Sequence, residues 1–585
     1  MSVRKPLTFN HNPLLEKGLP AWRSRLVLVC LLLCSLSLVG RAAYLQGFNR
    51  DFLQAEGKSR YSRVIAVPAT RGRITDRNGD VLAVSTPVRS IWAIPADASL
   101  SPSDARQLAS LLEVDVHELN RRLDSERDFV FLRRQVPPNV ARKVAELRLP
   151  GIHQQQEYRR YYPAAEVTAH VLGFTSVDDR GQEGVELAYD AHLKGRPGSR
   201  RVIRDRRGQI IEDVESIRPP HDGRDVVLAM DKKVQFIAYA ALRDAMEQHR
   251  AKAGSVVVLD ARTGEILALV NAPTYNPNNR RGLSGAQLRN RVLTDVYEPG
   301  STMKPFIGAL ALEYGKVAPD TLIDTGPGRM SIGRATISDV RRGGGKLSVA
   351  EVIKTSSNVG TVKMALEFTP DEMWAMFDQL GFGTPLDLGF PGEAGGRLRP
   401  ARSWRTIEQA TMSYGHGISS TLMHMARAYT VFARDGELLP LSLVRLDEPP
   451  RPVRRIFSPE VARTMRDMLE LSTQPGGTAP RARVAGYRVA GKTGTAHKLE
   501  GGRYTNKYIS SFVGFAPVSN PRIIVAVMID EPGAGQHYGG AVAAPVFARI
   551  TEGALRSLGV APDAPLVPLH VAERDRQAAR RGGNL

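Results

Sequence analysis

Cysteine is almost absent from this chain, and its absence excludes two kinds of stabilised architecture. The 585 residues contain only Cys30 and Cys34, and both lie in one apolar run. A disulfide framework and a cysteine-ligated zinc site are therefore excluded. None of the 12 histidines forms an H-E-x-x-H pair, so the chain is not a zincin metalloprotease.

Acidic residues are scarce relative to basic ones. The chain has 60 Asp and Glu against 80 Lys and Arg, which gives a net charge of +20. Such a surplus suits an anionic partner such as nucleic acid, lipid headgroups or an acidic polymer. The basic residues are spread over the whole chain and no nucleic-acid recognition motif accompanies them, so no nucleic-acid partner is expected.

Long apolar runs are also absent, with one exception near the amino end. Residues 26–40 form an almost unbroken apolar run that continues past Arg41 to Leu45, so an anchor is expected at 26–46, and about twenty helical residues span a hydrocarbon core. Basic residues precede the run at Arg4, Lys5, Lys17, Arg23 and Arg25. By the positive-inside rule, residues 1–25 form a cytoplasmic tail and the rest of the chain lies outside the membrane.

Two other interpretations of this run remain open. A cleaved signal peptide requires small residues at the cleavage site, and Gly40-Arg41-Ala42 fits that pattern poorly. A buried core helix is the second alternative, although the run has no amphipathic face. The sequence therefore favours an uncleaved single anchor.

Beyond the anchor, the chain changes character at residues 219–223. Before this point, residues 71–84 read as a hairpin in which Asn78-Gly79 predicts a type I′ turn, and residues 101–150 look helical and highly charged. Pro219-Pro220 and Asp222-Gly223 then indicate a linker.

After the linker, strands lie at both ends of a long helical region. Residues 234–247 fit an amphipathic helix, and residues 255–259 and 265–270 fit two strands of a hairpin. Ser348 and Glu351 form a capping box at the start of a helix. Strands return at 511–516 and 522–529, so one antiparallel sheet with a helical subdomain is expected, followed by a disordered tail at 557–585.

The first candidate for chemistry is Ser301-Thr302-Met303-Lys304. An apolar helix follows, on which Ser301 and Lys304 at positions i and i+3 share a face and can hydrogen-bond. A serine becomes a nucleophile when a base removes its proton, and a lysine is such a base if burial depresses its pKa. The S-x-x-K pattern alone is weak, because Ser2 to Lys5 matches it as well.

Two further candidates follow in the chain. Ser356-Ser357-Asn358 lies between two helical runs, where Ser356 could relay a proton and Asn358 could bind an amide, or where the residues simply cap a helix. The segment from Lys492 to Thr495, K-T-G-T, follows apolar residues on a strand and suits a substrate carboxylate, or is only a turn-flanked edge strand.

Together the three motifs are far more specific than any one of them. S-x-x-K, S-x-N and K-T-G occur in the order found in penicillin-binding proteins and class A β-lactamases. Over residues 25–556 the chain resembles a class B, monofunctional penicillin-binding protein, most like the cell-division D,D-transpeptidases (FtsI type, penicillin-binding protein 3 family). Further matching stretches begin at Arg71, Arg160, Tyr297, Ser413 and Tyr538.

The resemblance implies an α+β fold with a single transmembrane helix and two exported domains. An elongated mixed pedestal, similar to a dimerisation domain, is expected at 50–220. A penicillin-binding transpeptidase domain is expected at 226–556, with an antiparallel five-stranded sheet flanked by helices plus a helical subdomain. The membrane would be the bacterial inner membrane, with the amino terminus cytoplasmic and the catalytic domain periplasmic.

The resemblance also implies a chemistry. Ser301 would attack the carbonyl of the penultimate D-Ala of a peptidoglycan stem peptide and release the terminal D-Ala. Lys304 would be the general base, and Ser356 would pass the proton to the leaving amine with help from Lys492. An amine of a neighbouring stem peptide would then accept the acyl group, whereas β-lactams would leave Ser301 acylated. No cofactor and no metal is required.

Substrate-binding roles are implied for the surrounding residues. Asn358 would orient the acyl chain, Thr493 and Thr495 would hold the terminal carboxylate, and Gly494 would allow a ligand backbone to approach. The backbone N–H groups of Ser301 and Thr495 would form the oxyanion hole. The expected partners are a membrane glycosyltransferase and other division proteins.

Related functions remain as alternatives. The elongation branch shares many of the same signatures, and a scaffold with an inactive penicillin-binding fold is the alternative from another class. A class A β-lactamase is disfavoured because no E-x-x-L-N stretch is present.

Two histidines depart from the pattern of the division branch. His497 stands where that branch commonly has arginine, and His537, before Tyr538, stands where it commonly has an aromatic residue. All three are expected at the substrate-binding cleft, near the place where a carboxylate docks. The departure indicates a specialised paralogue or neutral drift at the cleft rim.

Overall fold

The computed structural model describes residues 21–48, 50, 62–204, 210–340 and 344–565, which form two compact units. One unit contains the described residues up to 68 together with 197–220, and the other contains 69–196 and the residues from 221 onward. Most of the predicted cytoplasmic tail and residues 566–585 of the predicted C-terminal tail lie outside the described residues.

The smaller unit begins with the apolar helix. The α-helix Ala21–Ala43 continues into a π-helical turn, Tyr44–Phe48, and none of the helix residues is buried. Within the described residues, it is the one helix long and apolar enough to cross a membrane, with a mean hydropathy of 2.3 over its best window. The same unit has an antiparallel sheet with the strands Ser62–Val67, Gly198–Arg204 and Ile210–Arg218.

The larger unit begins with the predicted hairpin, but its turn differs from the prediction. Strand Ile74–Thr75 pairs with the long strand Val81–Ala93. Gly79 N donates to Asp76 O, and positive φ occurs at Gly79 (+90°) and not at Asn78. A type I′ turn needs positive φ at both central residues, so the turn is type I followed by a left-handed glycine. Asp76 Oδ1 accepts from the Asn78 and Asp80 backbones and holds this geometry.

The segment predicted to be helical at 101–150 is only partly so. It contains the helices Pro102–Leu112, Val116–Leu123 and Pro138–Glu146 and, between the last two, the strand Val130–Val136. This strand and Ile152–Tyr161 pair with the two edges of Val81–Ala93. The helices cover the sheet through a core formed by Ile91, Leu108, Leu112, Leu119 and Leu132. Tertiary pairing therefore decides the conformation of a segment whose charges read as helical.

A buried ion cluster joins the matching stretches at Arg71 and Arg160. Both guanidinium groups contact Glu186, at 2.7 Å and 2.6 Å, and all three side chains are almost fully buried. Arg71 also pairs with Asp190 at 2.7 Å. The short helices of this region are Ala169–Leu172, Gly184–Ala188 and Asp190–Leu193. Loss of one partner would leave a buried charge unpaired, which is strongly destabilising.

The five-stranded antiparallel sheet predicted from the sequence is the centre of the larger unit. Its spatial order is Ile266–Ala272, Ala253–Asp260, Ile523–Asp530, Arg503–Ala516 and Ala490–Glu500. Alternate residues of the inner strands enter opposite cores: Val256 and Val258 face one, Val257 and Leu259 the other. The first core is closed by the helices Lys232–His249 and Gly539–Ser557, called here the C-terminal helix.

The other core holds the predicted helical subdomain. Its central helix, Lys304–Glu313, is buried over nearly its whole length. Around it lie the helices Val349–Thr355, Asn358–Ala365, Pro370–Gln379, Thr406–Ser413, Leu422–Ala428, Thr430–Ala433 and Pro459–Leu471. Short strand pairs join Leu322–Asp324 to Lys346–Ser348, Arg329–Ile332 to Ala335–Ser338, and Glu437–Leu438 to Arg454–Arg455. The site lies where this subdomain meets the edge strand Ala490–Glu500.

Candidate active site

Ser301 lies on a short 3-10 turn, Gly300–Met303, that leads into the central helix. The turn is held from below by Thr302, whose hydroxyl donates to Pro299 O and whose carbonyl accepts from the Tyr429 hydroxyl. Gly494 on the edge strand packs so closely that a Cβ there would lie 2.9 Å from Pro299 O. The turn that carries Ser301 is therefore fixed against the edge strand.

Two lysines converge on Ser356. Lys304 Nζ donates to Ser356 O at 2.6 Å and to Ser356 Oγ at 3.1 Å, and Lys492 Nζ donates to the same Oγ at 2.9 Å. Both lysines are fully buried. The Lys304 backbone N–H donates to Ser301 O, but among the described residues no hydrogen bond joins the side chains of Ser301 and Lys304, which differs from the pairing expected from their spacing.

Burial shifts both lysines toward the neutral form. It is the main cause that lowers the pKa of Lys304 well below its usual range; the positive charge of Lys492 adds to the effect and Asp339 opposes it. Burial lowers the pKa of Lys492 to about 7. A neutral lysine accepts a proton, so the site has the chemical means to activate a hydroxyl at neutral pH.

The 356–358 turn joins two helices and carries two candidate functional residues. Ser357 caps the helix Asn358–Ala365: its Oγ accepts from Gly360 N at 2.9 Å and donates to Asp339 Oδ2 at 2.7 Å. Ser356 adopts a left-handed conformation with φ of 63°, which turns its hydroxyl toward the lysines. Asn358 Nδ2 donates to Ser338 O. The capping alternative thus applies to Ser357 as an N-cap and to Ser356 as the left-handed C-cap of Val349–Thr355, whereas Asn358 begins the next helix.

The edge strand presents its two threonines to neighbouring elements. Thr493 Oγ1 donates to Thr478 Oγ1 at 3.1 Å, and Thr495 Oγ1 accepts from Gly539 N at 3.0 Å. A Cβ on Gly300 would lie 3.7 Å from Thr495 N, so the strand backbone adjoins the turn of Ser301. This approach puts backbone N–H groups beside the candidate nucleophile.

The structure brings His497, His537 and Tyr538 together in one row of rings. Tyr508 lies between the two histidines, with ring centroids 4.5 Å from His497 and 3.9 Å from His537. The His537 and Tyr538 rings are 4.6 Å apart. His497 Nδ1 donates to Thr505 O at 3.0 Å, and Ser510 Oγ donates to His537 O. The row begins at His497, which lies two residues beyond Thr495 on the edge strand. The role of these residues in carboxylate binding stays a prediction.

Sequence reasoning missed a carboxylate beside the nucleophile turn. Glu298 Oε1 accepts from Gly417 N at 2.8 Å, and both Glu298 oxygens accept from the Tyr504 hydroxyl, at 3.1 Å and 3.0 Å. His416 Nδ1 lies 3.7 Å from Glu298 Oε2. Burial lowers the pKa of His416. The negative charge of Glu298 opposes this shift, and the positive charge of Lys304 reinforces it. Glu298 follows Tyr297, and His416 lies between Gly415 and Gly417, so each is a variable position inside a stretch that matches the family. Only the spacing of these two residues from Ser301 and Gly417 could have singled them out.

Two protein families match the chain. The penicillin-binding protein transpeptidase domain matches residues 254–552, and the penicillin-binding protein dimerisation domain matches residues 66–228. The motifs at Ser301, Ser356 and Lys492 all fall inside the first match. The chain therefore belongs to the penicillin-binding proteins.

Individual relatives show which type of penicillin-binding protein the chain is. Probable peptidoglycan D,D-transpeptidase PenA of Neisseria gonorrhoeae is 43% identical over 570 residues, which cover 96% of each chain. Peptidoglycan D,D-transpeptidase FtsI of Escherichia coli strain K12 is 42% identical over 552 residues, which cover 93% of each. The apo TP domain of Burkholderia pseudomallei penicillin-binding protein 3 is 49% identical with a TM-score of 0.54, covering 58% of this chain and 98% of that one. Among penicillin-binding proteins, the chain is a class B member of the penicillin-binding protein 3 type.

Proposed function

We propose that this chain is the peptidoglycan D,D-transpeptidase of septal cell-wall synthesis and acts through an acyl-enzyme on Ser301. The observation that carries the proposal is the convergence of two fully buried lysines, Lys304 and Lys492, on the Ser356 hydroxyl beside the turn of Ser301. An inactive scaffold would have no need to keep two lysines in an environment so unfavourable to their charged form. The relatives named D,D-transpeptidase support the same activity.

In the acylation step, Ser301 Oγ forms a bond to the carbonyl carbon of the penultimate D-Ala, and neutral Lys304 takes the hydroxyl proton. The backbone N–H groups of Ser301 and Thr495 stabilise the oxyanion, an arrangement typically worth about 3–4 kcal/mol per donor. The C–N bond to the terminal D-Ala then breaks. Ser356 gives its proton to the leaving amine and is reprotonated from Lys304 or Lys492, which both donate to its Oγ.

In the deacylation step, the amine of a second stem peptide attacks the ester carbonyl. The amine loses a proton through the same Ser356 and lysine relay, and Ser301 Oγ regains its proton as the ester bond breaks. Thr493 and Thr495 bind the donor carboxylate before acylation, and Asn358 orients the acyl chain. Gly494 lets the edge strand pack against the turn of Ser301, where a Cβ would lie 2.9 Å from Pro299 O, and His497, His537 and Tyr538 form the rim.

The test of the proposed activity is labelling of the purified full-length chain with a fluorescent penicillin. We expect one covalent label per chain on Ser301, located by mass spectrometry. Ser301→Ala should remove the label without loss of fold, and Ser403→Ala, an exposed serine of the same subdomain, should label normally. Full labelling of the Ser301→Ala variant, or a label on another residue, would contradict the proposal.

The same proposal includes the cellular setting. The apolar helix Ala21–Ala43 anchors the chain in the bacterial inner membrane, with the amino terminus in the cytoplasm and the domains at 50–220 and 226–556 in the periplasm. A membrane glycosyltransferase supplies nascent glycan, since a monofunctional transpeptidase makes none. In spheroplasts, added protease should degrade the chain beyond the helix and spare the basic amino end. Depletion should give filamentous cells if the role is septal and rounded cells if it is elongation.

A further inference from the structure

A large cavity lies on the face of the five-stranded sheet that is covered by helices. Its volume is about 1080 Å³, and its walls are the helix Lys232–His249, the C-terminal helix Gly539–Ser557, the loop 472–489 and residues Ala564 and Pro565. None of the residues assigned to catalysis or substrate binding lines it. The cavity is slightly larger than typical small-molecule sites, which measure about 300–1,000 Å³, and is separate from the active site.

The cavity wall is strongly basic. Asp244 is the one carboxylate among its lining residues, and it is already engaged by Arg243 and Arg549. Arg481 and Arg483, both on the 472–489 loop, are exposed toward the cavity and have no carboxylate partner among the described residues. Two guanidinium groups therefore remain available to an anion, and their planar donor geometry matches a carboxylate or phosphate.

His249 supplies a second, independent sign of a ligand. Its side chain lines the cavity, is only 7% exposed and has no hydrogen-bond partner among the described residues. The end of its helix is fixed, because His249 O accepts from Gly533 N and Ala534 N. Burial and the nearby charge of Arg481 lower the pKa of His249 and favour its neutral form. Neither ring nitrogen is among the buried, unpartnered polar atoms of the described residues, so the ring opens on the cavity and can donate to, or accept from, an occupant.

Besides Gln248, Thr473, Gln474 and the ion-paired Arg488 and Arg549, most of the remaining lining is apolar. The side chains between the two helices and the loop are mostly small or aliphatic, with one aromatic ring: Ala241, Ala245, Val484, Tyr487, Val542 and Val546. An occupant that satisfies both parts of the wall must carry an anionic group on an apolar body. We propose that this cavity binds a small amphipathic oxyanion, a carboxylate or phosphate on an apolar group, whose anionic end is held by Arg481, Arg483 and His249.

The site is connected to the edge strand of the active site through one loop. Arg481 and Arg483 lie on the same 472–489 loop as Thr478, whose Oγ1 accepts from Thr493 Oγ1. Gly540, at the start of the C-terminal helix, packs against Thr478 so tightly that a Cβ there would lie 2.2 Å from Thr478 O. An occupant thus touches the two elements that position Thr493. Through this connection an occupant of the cavity changes the rate of acylation, an inference that rests on the proposed transpeptidase function.

Binding is tested directly, without reference to activity. The probe is hexyl phosphate, titrated by calorimetry into the full-length protein in neutral detergent, with hexanoate, inorganic phosphate and hexanol titrated in parallel. We expect one saturable site for hexyl phosphate or hexanoate, weaker binding of inorganic phosphate and none of hexanol; the tighter of the two amphiphiles identifies the preferred oxyanion. Arg481→Gln combined with Arg483→Gln should weaken binding at least about tenfold, the loss expected when charge-assisted hydrogen bonds are removed.

A matched control and three contrary results make the binding test decisive. Arg402→Gln removes an exposed arginine outside the cavity and should bind hexyl phosphate as the wild type does. Equal affinity in the Arg481 and Arg483 double variant, or no binding at all, would overturn the proposal. So would binding that appears only after the chain is ended at Pro565, because residues 566–585 would then fill the cavity themselves.

The coupling step has its own readout. The rate of labelling by a fluorescent penicillin is measured with and without saturating hexyl phosphate. We expect the rate to change at least about twofold in the wild type and not in the double variant. Thr478→Val should keep the binding isotherm and lose the rate effect. Saturable binding without any rate effect in the wild type would leave the site in place and refute the coupling, whereas failure of labelling itself concerns the proposed function.

Discussion

Lys304 and Lys492 donate to the same Ser356 hydroxyl, and this shared acceptor limits how many protons the site can hold. Two ammonium groups so close, in a buried environment, repel each other and are poorly solvated. The site therefore favours a state in which one lysine is neutral. Asp339 offsets part of this cost, since its carboxylate favours the charged form of Lys304.

The first prediction concerns the pH dependence of acylation. Because the pKa of both lysines is lowered, and that of Lys492 to about 7, the fraction with a neutral lysine rises as pH is raised through this value. The second-order rate of acylation by a penicillin should therefore increase between about pH 6 and pH 8. Lys304→Arg keeps the charge but cannot act as a base, and should slow acylation by about 10²–10⁴-fold.

Lys498→Arg is the matched control for this prediction. Lys498 lies on the same strand as Lys492 and pairs with Asp530 and Glu531. Because arginine at position 498 keeps the positive charge, these two ion pairs are preserved in the control. A rate independent of pH over this interval would contradict a role for the ionisation of Lys492, and a Lys304→Arg variant that acylates normally would show that Lys304 is not the base.

The second prediction concerns His497 on the edge strand. Arginine carries a permanent positive charge and a planar set of donors that match a carboxylate. His497→Arg should therefore raise the acylation rate of β-lactams with an additional side-chain carboxylate, relative to matched drugs without one. The measurement is the acylation rate for the drug pair in both proteins.

An unchanged ratio would leave His497 without a role in carboxylate binding. Its ring could then serve mainly to pack on Tyr508, at 4.5 Å, and to bond Thr505 O.

At the residue scale, sequence patterns identified groups whose chemistry is carried by type and spacing. Ser301, Lys304, Ser356 and Lys492 follow from motif order, and the structure places the latter three in contact. Glu298 and Tyr504 were missed because their bond joins residues 206 positions apart. Thr478 was missed because the loop that separates it from its partner Thr493 has no regular sequence pattern.

At the scale of elements, the nucleophile turn depends on a close approach of two loops. Gly415 has φ of +84°, and a Cβ there would lie 2.2 Å from Gly300 O and 2.4 Å from Gly300 N. Gly300 N in turn donates to Gly415 O. The loop that follows the helix Thr406–Ser413 therefore holds the residue immediately before Ser301.

The third prediction tests this contact with a pair of glycine substitutions. Gly415→Ala should displace the Gly300 turn, lower the unfolding temperature and slow penicillin labelling at least about tenfold. Gly417→Ala has a similar φ of +81° but nothing nearer than 3.8 Å, so it should cost only the about 1–2 kcal/mol of left-handed backbone. Equal effects of the two substitutions on labelling would show that backbone strain, and not contact with Gly300, is responsible.

Elements were predictable where local signals and tertiary contacts agree. The capping box of Ser348 and Glu351 is confirmed by both of its hydrogen bonds, at 3.2 Å and 2.9 Å. The hairpin at 74–84 was correct in position and wrong in turn type, because Asp76 stabilises a type I turn through its carboxylate. The strand Val130–Val136 was missed because its pairing with Val81–Ala93 is not visible in its own sequence.

At the scale of the whole molecule, the stability of the fold depends on two buried histidines that keep a hydrogen bond to a backbone carbonyl. His170 Nε2 donates to Gln287 O, and His424 Nε2 donates to Thr384 O. Burial lowers the pKa of each to about 4. A histidine in the unfolded chain has a pKa near 6.5, so the folded state binds fewer protons between these values and its stability falls as pH falls.

The fourth prediction is acid destabilisation below about pH 6.5. By pH 5 each histidine should cost about 2 kcal/mol of unfolding free energy. His170→Gln and His424→Gln should flatten the fall of the unfolding temperature between pH 7 and pH 5, even if each lowers stability at pH 7. His117→Gln, at an exposed position, should leave the slope unchanged. A slope that is the same in all three variants would assign the acid sensitivity to other groups.

The order of strands in the five-stranded sheet also governs when a newly made chain becomes competent. The middle strand, Ile523–Asp530, comes last in the chain and joins the early strand Ala253–Asp260 to Arg503–Ala516. Arg522 and Asp260 form an ion pair although they are 262 positions apart in the chain, so the sheet cannot close until nearly the whole domain has been synthesised. A chain whose synthesis ends before the strand Ile523–Asp530 therefore has two separated half-sheets. Such a chain has Ser301 and both lysines but no common scaffold to bring them together.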